Sequence, residues 1–237
     1  MNRREHFKTG MRDGIPVALG YLAVSFTFGI AAKKIGLTAF QSGLMSVTNL
    51  TSAGQFAALG IIAASAGYIE LAMTQFIINL RYCLMSCALS QKLGGDTGGF
   101  HRLFMAFGIS DEIFALSVSV KGNLSPFYTY GIMSLSIPSW TLGTVLGIIL
   151  GNAMPMNLLS AFSVALYGMF IAIIMPEGKK NRIVAFLIPI SMFASSVFNI
   201  TPILKEISSG FKIILLTVLI SGLAAVFFPV KEDKHEV

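Results

Sequence analysis

Eight apolar runs shape this chain, at 14–32, 41–66, 70–90, 103–120, 126–150, 157–175, 183–200 and 211–229. Each comes close to, or exceeds, the ~20 residues that carry a helix across a bilayer. Hydrocarbon offers the backbone no hydrogen-bond partner, so only helices and closed barrels cross it, and runs this long fit helices. The sequence therefore predicts an all-α polytopic membrane protein. It would be a bundle of seven or eight transmembrane helices in one membrane domain, 1–237. Composition agrees, with 12% of residues charged, where a soluble domain is nearer a quarter. The first run follows Arg3, Arg4, Lys8 and Arg12. It is longer than a signal-peptide core and lacks a clear small-residue cleavage site, so it reads as a retained span. An eight-span path puts ten Lys/Arg on the side of the N-terminus and six on the other, the bias expected for a cytoplasmic N-terminus.

Three charges lie deep inside these runs. Arg81 is near the middle of 70–90, and Asp111 and Glu112 are near the middle of 103–120. An unpaired charge at that depth costs roughly 2.5–3.5 kcal/mol on insertion scales. Such residues face a bundle interior or a water-filled path and mark function by default. The Gly-rich stretch 91–102 reads as a loop. Arg81 is ten residues before it and Asp111 ten after it, so antiparallel packing brings them to one depth, about 15 Å from the loop. Read as one helix, 103–120 puts Glu112 beside the small Gly108, Ala115 and Ser119, where water has room. Asp111 then lies by Phe104, Phe107 and Val118. That favours Asp111 as the fixed partner of Arg81 and Glu112 as a proton carrier. A static salt bridge that sets helix pairing is the competing reading.

The second run is polar at its centre. Residues 46–56 (SVTNLTSAGQF) weaken a continuous helix, and unwound backbone at membrane depth presents polar groups to a substrate. Asn49, Ser52, Gly54 and Gln55 are the candidate substrate-binding residues there, with Asn79 from the polar stripe Gln75, Asn79, Tyr82, Cys83, Ser86 and Ser90 of the third run. A small-residue packing face is the alternative. Gly143, Gly147 and Gly151 recur every fourth residue, a groove that admits another helix closely and a candidate docking face for a partner subunit.

Soluble chemistry finds no motif. GxxxxGK[ST], HExxH and GxSxG are absent, so no enzyme activity and no cofactor are expected. Cys83 and Cys87 share one apolar run, and His6, His101 and His235 have no ligand spacing, so no metal site is expected. Basic residues are spread over ends and loops rather than gathered in a patch, which excludes nucleic acid as the partner.

The chain resembles the AzlC-type branched-chain amino-acid permeases, the azaleucine-resistance or LIV-E exporter family, as its large subunit. The matching stretches are GMRDGIPVALGYLAVSFTFGIAA (10–32), GLMSVTNLTSAGQFAALGIIAAS (43–65), INLRYCLMSCALSQKL (78–93), HRLFMAFGISDEIFALS (101–117) and WTLGTVLGIILGNAMP (140–155). Where the family usually reads near FAGAAQF, this chain has LTSAGQF (50–56); Gln55-Phe56 is kept and the preceding residues are more polar. The resemblance implies export of branched-chain or other apolar amino acids across a bacterial plasma (inner) membrane. It also implies a small AzlD-type membrane subunit as partner. A non-transporting scaffold and a small-solute channel are the competing functions.

Overall fold

The computed structural model describes residues 2–95, 97–151, 181–201 and 209–228, together with positions 171, 175, 178, 179 and 207. The described residues form helices without strands: α1 (Arg3–Lys34), α2 (Ala39–Thr48), α3 (Ser52–Ala63), α4 (Tyr68–Lys92), α5 (Gly99–Phe107), α6 (Asp111–Ser119), α7 (Pro126–Leu150), α8 (Arg182–Ile200) and α9 (Ser209–Phe227). The expected span 157–175 lies almost wholly outside the described residues. The last two expected spans correspond to α8 and α9.

Helices α1 and α7 are long and apolar enough to cross a membrane, and they form the ridge on which the rest is built. Small residues let their backbones touch. A Cβ placed on Gly10 would meet the Tyr128 carbonyl, one on Gly14 would meet Ile132 Cα at 3.0 Å, and one on Gly29 the Thr144 carbonyl. The contact numbers rise together, so α1 and α7 run parallel. Gly143 sits against Leu22 and Ser25, Gly147 against Phe26, and Gly151 against Ile30. The glycine face expected to dock a partner is therefore used inside the chain, because α1 carries the matching small residues. Gly36 (φ +86°) ends α1 in a left-handed turn that sends the chain back towards α2.

The run 41–66 is broken at 49–51, within the expected 46–56, and 103–120 is broken at 108–110, so each folds as two short helices rather than one long one. Ala39 and Met45 lie with Phe28, Ala32 and Ile148, near the C-terminal end of the ridge. Leu50 lies half-way along it with Tyr21, Val24 and Trp140. The chain then returns: Phe56 meets Phe28 edge-on at 5.3 Å, and Leu59 rejoins Ile148. Helices α2 and α3 thus make a V whose tip, Asn49–Thr51, reaches mid-ridge. Ten and twelve residues give arms of roughly 15–18 Å, about half a hydrocarbon core.

A second V enters from the other end. His101 bonds Tyr130 at 2.7 Å, Ser110 bonds Tyr21 at 2.6 Å, and Ser117 bonds Thr129 at 3.1 Å. The chain therefore climbs from the N-terminal end of α7 to mid-ridge at Gly108–Ser110 and descends again. Between the two Vs, α4 runs the opposite way to α1. Its Gln75 meets Gly54 of the first V, and its Leu89 joins Tyr128 and Ile132 near the start of α7. A long helix followed by a V thus occurs twice with opposite orientation, a repeat the sequence had concealed.

The interior mixes apolar packing with small polar side chains. Ser25, Ser46, Gln55, Ser110, Ser117, Thr129, Ser136 and Thr144 are buried, while Leu19, Phe76, Leu84, Leu142 and Ile149 face outward. Large apolar side chains left facing outward, with hydrogen-bonding residues between helices, are compatible with lipid, which gives no drive to hide hydrocarbon.

Candidate functional site

Both V tips end beside Tyr21 and Trp140, whose rings meet edge-on at 5.2 Å. The first tip forms because Thr48 turns its hydroxyl back to the Leu44 carbonyl (2.8 Å) and Asn49 takes up extended backbone (φ −135°, ψ 90°). Thr51 does not cap α3; it donates to Asn49 Oδ1 at 2.8 Å. The first N–H groups of α3 therefore open onto the tip without a side-chain cap. Gln75 of α4 donates to the Gly54 carbonyl at 2.7 Å and accepts from Asn79 at 3.2 Å and Asn49 at 3.4 Å. A Cβ on Gly54 would press on Gln75 Oε1 at 2.7 Å and on the Thr51 hydroxyl, so a larger residue would have to move these side chains.

The second tip forms because Gly108 ends α5 and Ser110 caps α6, its Oγ accepting the Ile113 N–H at 3.2 Å. Asp111 and Glu112 consequently occupy the first turn of α6, where the helix dipole favours negative charge. Arg81 Nη1 meets Asp111 Oδ2 at 3.0 Å, and its guanidinium lies 5.0 Å from the Tyr82 ring centroid. Glu112 points to α1 instead, and Tyr21 Oη is 2.6 Å from its Oε2. The phenol has one proton and an ionised carboxylate can only accept, so that proton goes to Glu112 and Ser110 donates to Tyr21. Because the helix is interrupted at 108–110, Gly108, Phe104 and Phe107 are not helical neighbours of the carboxylates. Gly108 abuts Met133 instead.

The candidate residues divide. Asn49, Gly54 and Asn79 converge at the first tip, and Ser52 opens α3. Gln55 turns away from the tip: it is 0% exposed, accepts from Trp140 Nε1 at 2.7 Å and donates to Ser46 at 3.3 Å. Ser46 in turn bonds Thr144 at 2.7 Å. Gln55 thus fastens the first V to α7. Two buried polar atoms near the centre have no hydrogen-bond partner among the described residues, Asn79 Oδ1 and Arg81 Nε. Tyr21, Gln75, Ser110 and Trp140 were not singled out from sequence as site residues. A tyrosine and the sole tryptophan inside apolar runs were the available signal, since each carries a polar tip that needs a partner when buried.

Comparisons with known proteins bear on the same region. The family profile described as AzlC protein matches residues 16–154, from α1 through the end of α7. A protein of Archaeoglobus fulgidus named "Uncharacterized membrane protein" is 27% identical over 185 residues, covering 77% of this chain and 81% of its own length. The inner membrane protein YgaZ of Escherichia coli is 28% identical over 152 residues, 62% of each chain. The branched-chain amino acid transport protein AzlC of Bacillus subtilis is 21% identical over 189 residues, 77% of this chain and 73% of its own. No solved structure matches. The names of these relatives, with two helices long and apolar enough to cross a membrane, support a membrane location.

Proposed function

The chain belongs to the AzlC family, and from that premise we propose that it carries branched-chain or other apolar amino acids through a membrane, in the direction of export. The observation that carries this reading is the polar centre half-way along α1 and α7, where two half-length Vs meet from opposite ends. An amino acid brings a carboxylate, an ammonium and an apolar side chain. The uncapped start of α3 and Arg81 Nε–H suit the carboxylate. Asn79 Oδ1 and the carboxylates of the second tip suit the ammonium, and Leu50 and Trp140 supply apolar walls.

In this reading Glu112 is the proton-coupling group, and a small AzlD-type subunit completes the permease in a bacterial plasma membrane. The two-V path also sharpens the orientation. Among residues 1–151, Arg3, Arg4, Lys8, Arg12, Lys92, Arg102 and Lys121 fall at the end where α1 begins, and only Lys33 and Lys34 at the other. That asymmetry supports a cytoplasmic N-terminus. The test is counter-flow of labelled leucine in proteoliposomes, with and without the small subunit. Saturable counter-flow that Arg81→Ala abolishes is the expected result; flux that neither saturates nor shows counter-flow would make the protein a channel.

A further inference from the structure

Glu112 and Asp111 adjoin in sequence but are held by different elements. From α4 come Arg81, which pairs with Asp111, and Tyr82, which bonds Arg81 at 3.2 Å. From α7 comes Tyr128, whose hydroxyl is taken by Asp13 at 2.8 Å. From α1 comes Tyr21, and Glu112 meets its hydroxyl without a cation in ion-pair range among the described residues. The second V is thus fastened to α1 at mid-ridge by Ser110 and Glu112 bonding one phenol. Hydrogen bonds to an ionised acceptor are roughly twice as strong as neutral ones. This fastening therefore depends on the charge of Glu112, whereas the first V hangs on the neutral Gln55–Trp140 bond.

We propose that Tyr21 is a positioning residue whose hydroxyl, held by the Glu112 carboxylate, latches the α5–α6 V against α1, and that uptake of a proton by Glu112 releases it. The proton comes from water on the side the V faces. It adds to Glu112 and removes the charge that Tyr21 stabilises; the hydrogen bonds of Tyr21 to Glu112 and Ser110 then part as the V moves, and no covalent bond to carbon changes. The V then opens towards the side from which it enters, while the first V stays shut on α7. The inference rests on the transport reading for its purpose, but its test observes opening without any substrate. A protein that opens as described yet moves no amino acid would refute the transport reading alone.

The experiment uses the full chain in vesicles, with Cys83→Ser and Cys87→Ser, and Ser117→Cys as reporter on the second V. The readout is labelling by an impermeant maleimide, normalised at each pH to the detergent-unfolded protein because thiolate content changes with pH. The parent should label faster in acid than in mild alkali. Tyr21→Phe, which keeps the ring against Trp140, should label at the fast rate at both, roughly tenfold or more above the parent in alkali, as for one lost hydrogen bond to a charged group. Glu112→Gln should behave likewise, and it carries the test if Tyr21→Phe does not fold. A reporter at Ser46→Cys on the first V should not change. Slow, pH-sensitive labelling in either folded variant would overturn the latch. Equal acceleration at Ser46→Cys would overturn it too, by giving Tyr21 a general packing role.

Discussion

At the scale of single residues, the centre separates groups that hold the fold from groups left open to a ligand. Gln55 and Asn49 are near in sequence and both have each end of the amide engaged, yet Gln55 is fully buried against α7, while Asn49 is half-buried at the tip and bonded, among the described residues, only to Gln75 and Thr51 there. Gln55→Leu leaves the Trp140 N–H without its acceptor, so it should cost stability, about 1–3 kcal/mol, with little change in affinity of the protein that remains folded. Asn49→Leu should do the reverse. Thermal unfolding in detergent beside ligand affinity separates the two; equal stability loss in both would mean that Asn49 is structural as well. Arg81 and Asp111 stand between these cases. Their side chains are 37% and 18% exposed, so the pair is worth less than a fully buried one, and Arg81 Nε has no partner among the described residues. Their meeting was legible in the sequence as equal distances from one loop. Tyr21 and Trp140 were not, because nothing in sequence spacing ties residue 21 to residue 110 or residue 140 to residue 55.

At the scale of elements, close contact of α1 and α7 sets the frame for both tips. Gly29 has no room for a methyl group against the Thr144 carbonyl, whereas Gly20 has nothing within 4 Å. Gly29→Ala should therefore destabilise the protein by about 1–3 kcal/mol through overpacking. Gly20→Ala should be neutral or stabilise by up to about 1 kcal/mol through helix propensity. Melting temperatures of the two variants in the same detergent decide this, and equal values would mean that the ridge is looser than described. The sequence marked 143, 147 and 151 as a packing face but could not say for what, since the matching small residues on α1 lie more than a hundred positions away. Breaks were legible unequally. The first tip is announced by a run of Ser, Thr, Asn and Gly. The second hides in Gly108-Ile109-Ser110, where a helix stop, a cap and an acidic first turn occupy five residues within an otherwise apolar run.

At the scale of the whole molecule, the account rests on path rather than on composition. Apolar length alone reads 41–66 and 103–120 as crossings, because two arms of a V together have the length of one span. What distinguishes them is where the ends go. In the structure the turns at 35–38 and 64–67 share one end of the ridge, and those at 93–98 and 120–125 share the other. The most direct measurement is side-specific labelling of single cysteines in sealed vesicles, with Cys83→Ser and Cys87→Ser and one reporter each from Leu37→Cys, Ala66→Cys, Thr97→Cys and Asn123→Cys. The account predicts that 37 and 66 label from one side only, and 97 and 123 only from the other. Labelling of 37 and 66 from opposite sides would make α2 and α3 a single crossing, and would contradict the meeting of two Vs on which the proposed site depends.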